Sequence, residues 1–205
     1  IKMRAGGRIC EIHKRLIPAL SDRRCEMCLQ DLTTKKHSSL EDYELVNNVR
    51  EAVRLIENTL ELSLFIPEIG MNIAMAKLGA TSVEDVVGVP GRIHSVDGRP
   101  QAANPPEFGG SSHVARAVLT MMRFKPLLRS AIGLRFDPLV VEVCGSLGLG
   151  VSFFDRSEEP REVKEVDGRT MQWGVEDAYK RYGRAPDVIY DLGDFGKEPM
   201  VFIFG

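Results

Sequence analysis

The chain has 205 residues, 43% of them hydrophobic and 27% charged, with a formal net charge of −2. That is enough for one large domain plus an appendage, and no run is apolar for long enough to span a bilayer. The acidic balance argues against the whole chain binding nucleic acid; residues 1–36 nevertheless carry nine Lys/Arg against four Asp/Glu, which puts any polyanion contact at or beyond the N-terminus.

No signal peptide opens the chain, which starts at Ile1 and stops at Gly205 on a strand-like apolar run; a piece of a longer protein is expected. Four cysteines, three of them near the N-terminus, do not make a disulfide framework and fit a reducing, cytoplasmic location. Cys10-x-x-His13 and Cys25-x-x-Cys28 have the paired spacing of a tetrahedral Zn²⁺ site, with His37 as a possible substitute ligand. All four positions would be filled, so the zinc would be structural and would stabilise a segment with few large apolar residues. The alternative is three free cysteines and a chance histidine.

Ser38-Ser39 offers an N-cap, and Glu41 and Asp42 suit the first turn of a helix. Val46, Val49, Val53, Ile56 and Leu60 then recur every three or four residues, a narrow apolar seam that either docks on its own domain or joins two copies of the chain. Leu64 to Ala76 is mostly apolar, with Asn72 as the polar residue to be buried and therefore bonded to backbone or to a ligand. Thr81 to Val86 reads as a capped short helix, and 97–110, DGRPQAANPPEFGG, as a Pro/Gly-rich loop.

That loop delivers Gly109-Gly110-Ser111-Ser112-His113 into the helical run VARAVLTMMRF. Glycines and hydroxyls at a helix start make either an anion site or an ordinary serine cap, with His113 at the ligand or merely on the surface. Arg135 stands inside the strand-like RSAIGLRF, where an arginine needs a carboxylate or phosphate partner. A helix from Leu139 to Leu147 holds Cys144, read as core, and leads into the strand Val151 to Phe154. Asp155-Arg156 ends that strand, where α/β sites form, although a solvated ion pair would look the same. Trp173 is a stacking face or core. The strand Val188-Ile189-Tyr190 ends in Asp191 and runs into Gly193-x-x-Gly196-Lys197, which reads as a phosphate-binding turn or simply as a tight turn with a solvated lysine.

The segments GSSHVARAVLTMMRF, RSAIGLRF, SFFDRSEEP, and RTMQWG with PDVIYDLGDFGKEPM, in this order, resemble the archaeal ThiN-type thiamine-phosphate synthase domain over roughly residues 64–205. The resemblance implies an α/β domain, three-layer α/β/α with a mixed sheet, class II aldolase-like. It is preceded here by a zinc-knuckle segment (1–37) and a linker or dimerisation helix (38–63). The enzymes join a pyrimidine diphosphate to a thiazole phosphate and release pyrophosphate, with Mg²⁺. The basic Cys/His head, and Gly133 where the enzymes are expected to carry asparagine, favour instead a regulatory branch. On that reading the domain senses thiamine phosphate (or diphosphate) for a dimeric transcription regulator whose DNA-binding module lies outside the chain. An active synthase is the alternative. Within the resemblance, Ser111, Ser112, Lys197 and the 193–196 turn serve phosphate, with Arg135 and Arg156 as charge partners. Asp155 and Asp191 face the cationic part of the ligand, and Phe154 and Trp173 supply flat faces.

Overall fold

The computed structural model describes residues 40–166 and 168–205, so the proposed zinc ligands Cys10, His13, Cys25 and Cys28 lie outside the described residues. The chain divides after Tyr43, and the unit Glu44–Gly205 carries a seven-stranded sheet. Its strands are β1 (Asn72–Ala76), β2 (Val86–Gly88), β5 (Glu107–Phe108), β6 (Ser130–Arg135), β7 (Val151–Phe153), β8 (Val188–Asp191) and β9 (Met200–Phe204), in the spatial order β5-β2-β1-β6-β9-β8-β7. All neighbours are antiparallel except β7 and β8, which are parallel, so the sheet is mixed as expected.

Alternation along β9 shows how the layers form. Met200, Phe202 and Phe204 enter one core, with helices α2 (His113–Phe124) and α5 (Arg169–Tyr182); Val201 and Ile203 enter the other. A β-branched and aromatic run that is apolar on both faces belongs at the centre of a sheet covered on both sides. The second core takes Leu45, Val49, Val53 and Ile56 from α1 (Leu40–Asn58), and Cys144 from α3 (Pro138–Ser146). The α1 seam is therefore docked on its own sheet, each large side chain contributing roughly 1.5–3 kcal/mol. The helix stops at Asn58, which leaves Leu60 exposed in a 3-10 turn. This helix helps to build the core of the compact unit Glu44–Gly205. No helix among the described residues is long and apolar enough to cross a membrane.

A hairpin of β3 (Ile93–Val96) and β4 (Arg99–Ala102) interrupts the stretch read as loop. Asp97 and Gly98 turn it with φ of 50° and 75°, the two positive values of a type I′ turn. The hairpin is tied to the domain by backbone bonds between Met71 and Ile93 and by the Ala102 amide donating to Glu57 Oε1 at 2.9 Å. It brings Arg92 and His94 to the start of β1. A further short α-helix is α4 (Arg161–Lys164).

Candidate functional site

Strand directions bring the start of β1, the ends of β6, β7 and β8, and the start of β9 to one end of the sheet. Helices α2 and α5 both begin there, and neither start is capped by a side chain: Ser112 precedes α2 and Gly168 precedes α5 without such a bond. Uncapped first-turn amides at the positive end of a helix favour an anion. Two cavities open at this end.

The first, about 310 Å³, is lined by Asn72, Arg92, His94, Ser111, Ser112 and Gly133 among others. Asn72 is buried and spends its amide on Val89, donating to the carbonyl at 2.9 Å and accepting from the amide at 3.0 Å, so its role is to fix the wall. Ser111 is buried and Ser112 exposed. Arg92 holds φ of 69°, a left-handed conformation uncommon for a residue with a side chain, and donates to the Ile69 carbonyl at 2.7 Å. His94 Nε2 lies 2.7 Å from the Gly91 carbonyl. Gly70, at φ of 89°, is required beside it, because a Cβ there would stand 2.7 Å from the imidazole. Gly133 forms part of the floor, and a Cβ at this position would approach the Phe202 ring to 3.1 Å.

The second cavity, about 490 Å³, is lined by Arg156, Lys164, Gly168, Thr170, Gly196 and Lys197 among others, and it shares Ile69, His113 and Met200 with the first. Three cations thus meet the start of α5. Arg156 is buried and held by Asp191 through two bonds, Nε to Oδ1 at 2.6 Å and Nη2 to Oδ2 at 3.2 Å, and it lies 5.4 Å from the centre of the Phe154 ring. Lys164 donates to Asp194 Oδ2 at 3.0 Å. That bond, then the Phe195 amide, holds the Asp194 carboxyl below the usual aspartate range. Lys197 stands 3.9 Å from Glu159 Oε2.

Several expected site residues lie elsewhere. Asp191 is fully buried beneath Arg156 and has no face left for a cationic ligand. Asp155 is exposed and accepts from the Ser157 amide at 2.8 Å, and its bonds with Ser157 lower its pKa. Phe154 is core, with the half-buried Trp173 packed edge-on against it at 5.9 Å, and neither lines either cavity. Arg135 is exposed at the end of β6 and lines neither cavity. The 193–197 turn does not cradle an anion with its backbone. The amides of Gly193, Asp194, Phe195 and Lys197 bond to Asp191, Lys197, Asp194 and Asp194 of the same stretch, leaving Gly196 and the Lys197 ammonium to face the cavity.

A thiamine-phosphate synthase ThiN family model matches residues 48–205. This chain belongs to the ThiN family. It is 42% identical over 160 residues, 78% of this chain and 84% of the relative, to thiamine-phosphate synthase ThiN of Methanothermobacter thermautotrophicus. It is 34% identical over 163 residues to the bifunctional thiamine biosynthesis protein ThiDN of Methanocaldococcus jannaschii, covering 79% of this chain but 37% of that protein. The solved C-terminal domain of phosphomethylpyrimidine kinase superposes with a TM-score of 0.76 at 44% identity, over 80% of this chain and 92% of that one.

These findings overturn the regulator reading. The ThiN relatives are named for synthesis, and one of them matches most of this chain at 42% identity. The Cys/His head that suggested a regulator lies outside the described residues, and Gly133 alone does not separate this chain from its family. Sequence reasoning missed Arg92, His94, Lys164, Thr170 and Glu159. Only Arg92 carried a signal, standing after Pro90-Gly91 at a turn; nothing local distinguishes Lys164 from a solvated lysine.

Proposed function

We propose that this chain is a thiamine-phosphate synthase, joining hydroxymethylpyrimidine diphosphate to thiazole phosphate. In this reaction the thiazole ring nitrogen forms a bond to the pyrimidine methylene carbon. The carbon–oxygen bond to the diphosphate breaks, and pyrophosphate leaves with the electron pair. The observation that carries the reading is the pair of adjoining cavities, each beside an uncapped helix start, meeting at Ile69, His113 and Met200. Two phosphorylated reactants need two anion subsites side by side and a common wall where the new bond forms.

The three cations suit the diphosphate, since charge developing on a leaving pyrophosphate is what Arg156, Lys164 and Lys197 stabilise. The first cavity then takes thiazole phosphate, its phosphate toward the start of α2 with Ser112 and Arg92 near it. His113, lining both cavities, stands between the reacting groups. Among the described residues no cluster of three His, Cys, Asp or Glu side chains could hold a metal ion. Magnesium would enter with the diphosphate it neutralises, as it commonly does with phosphate substrates.

The deciding experiment mixes purified chain with both substrates and Mg²⁺ and follows thiamine phosphate by chromatography. Sustained multiple turnovers are expected. Tight binding of thiamine phosphate with no turnover would overturn the proposal.

A further inference from the structure

Each cation of the second cavity is backed by its own carboxylate, and the three pairs differ. Arg156 is locked to Asp191 by two bonds and Lys164 donates directly to Asp194, but Lys197 stops short of Glu159, with Nζ 3.9 Å from Oε2. The Glu159 side chain is fully buried whereas that of Lys197 is 40% exposed. Glu159 Oε1 accepts the Thr170 hydroxyl at 2.5 Å; Oε2 is buried with no hydrogen-bond partner. A buried carboxylate oxygen left without a donor is costly and demands a reason.

We infer that Glu159 is a positioning residue for anion binding in the second cavity. The Thr170 hydroxyl, at the start of α5, fixes the rotation of the carboxylate, which aims Oε2 at Lys197. The ammonium has three donors, so it can close onto Oε2 with one and hold a diphosphate oxygen with the others. Glu159 thereby sets where Lys197, the unlocked cation among the described residues of the cavity, stands when the anion arrives. The inference rests on reading this cavity as the diphosphate side.

The test is calorimetric titration of the whole chain with inorganic pyrophosphate, comparing wild type, Glu159→Gln, Lys197→Met and the double variant. Each single substitution is expected to weaken binding about tenfold, the worth of one charge-assisted bond. The double variant should bind no more weakly than Lys197→Met alone, because the residues act as one unit. Unchanged or tighter binding by Glu159→Gln, or losses that simply add, overturns the inference, as does a wild type that does not bind pyrophosphate. If Glu159→Gln does not fold, Thr170→Val replaces it in the same cycle and should likewise lose its effect beside Lys197→Met. Binding is read without turnover, so an inactive chain that shows the coupling removes the synthase reading and leaves this inference standing.

Discussion

Arg156 and Asp191 meet inside the protein as a two-bond pair, 2.6 Å and 3.2 Å, with both side chains buried. Asp191 Oδ1 also accepts the Gly193 amide at 2.9 Å, so one carboxylate ties the end of β8 to the arginine and to the turn that follows. Asp191 thus shapes the second cavity from beneath, through the arginine it holds. Replacing it by asparagine leaves a buried guanidinium without its counter-charge. Asp191→Asn is expected to destabilise the domain by about 3–5 kcal/mol, measured by urea unfolding. A loss below about 1 kcal/mol, the worth of a surface pair, would show that water reaches Arg156.

The same substitution at two helical glycines should have opposite signs. A Cβ on Gly174, in the middle of α5, would stand 2.9 Å from the Phe154 ring, while one on Gly145, in α3, meets nothing within 4 Å. Gly174→Ala is expected to cost about 1–3 kcal/mol by overpacking. Gly145→Ala is expected to gain about 0.4–1 kcal/mol by restricting the unfolded chain. Urea midpoints of the two variants beside wild type check both.

The contact of Gly174 with Phe154 also explains what was hard to read in the sequence. A glycine beside the tryptophan breaks the helical pattern locally, yet α5 runs through it because that gap admits a ring from β7's end. The strands were legible where β-branched and aromatic residues cluster, as in Val188–Asp191 and Met200–Phe204. The β3–β4 hairpin was not, although Asp97-Gly98 is a strong type I′ signal; the Pro and Gly residues of 97–110 outweighed it.

Of the candidate site, the start of α2, Arg156 and Lys197 line the two cavities, and charge and glycine at element ends are what mark them in the sequence. The 193–197 turn shows the limit of such a pattern. Its two glycines, at φ of 77° and 70°, close a turn tight enough to consume four of its five amides. Glu159 carries no signal of its own in the sequence, since only the fold reveals that it is buried against Thr170 and Lys197. Arg135 stands at the exposed end of β6 and lines neither cavity.

His113 lines both cavities; with the two reactants bound as proposed, it would set how they sit relative to one another. Misplacement by about an ångström between reacting atoms costs on the order of 10²-fold in rate. His113→Ala should therefore lower kcat by about that factor while pyrophosphate affinity changes much less. Steady-state kinetics beside calorimetry separates the two. Equal losses in both would make His113 an anion ligand rather than a residue of the junction.

Asp194 offers a test by pH. Lys164, then the Phe195 amide, holds its carboxyl below the ordinary aspartate value of about 3.9. Between the depressed folded value and the unfolded one, the unfolded chain binds more protons, so this contribution to stability rises with pH and is complete above the unfolded value. It is lost as pH falls through the folded value. Wild type should thus melt above Asp194→Asn by a constant small margin near neutrality, and the two should converge only below about pH 4. Both side chains are partly exposed, so added salt should narrow the margin. Melting curves from pH 2.5 to 7 decide it: a margin that widens on acidification would mean that Asp194 acts through something other than its ion pair.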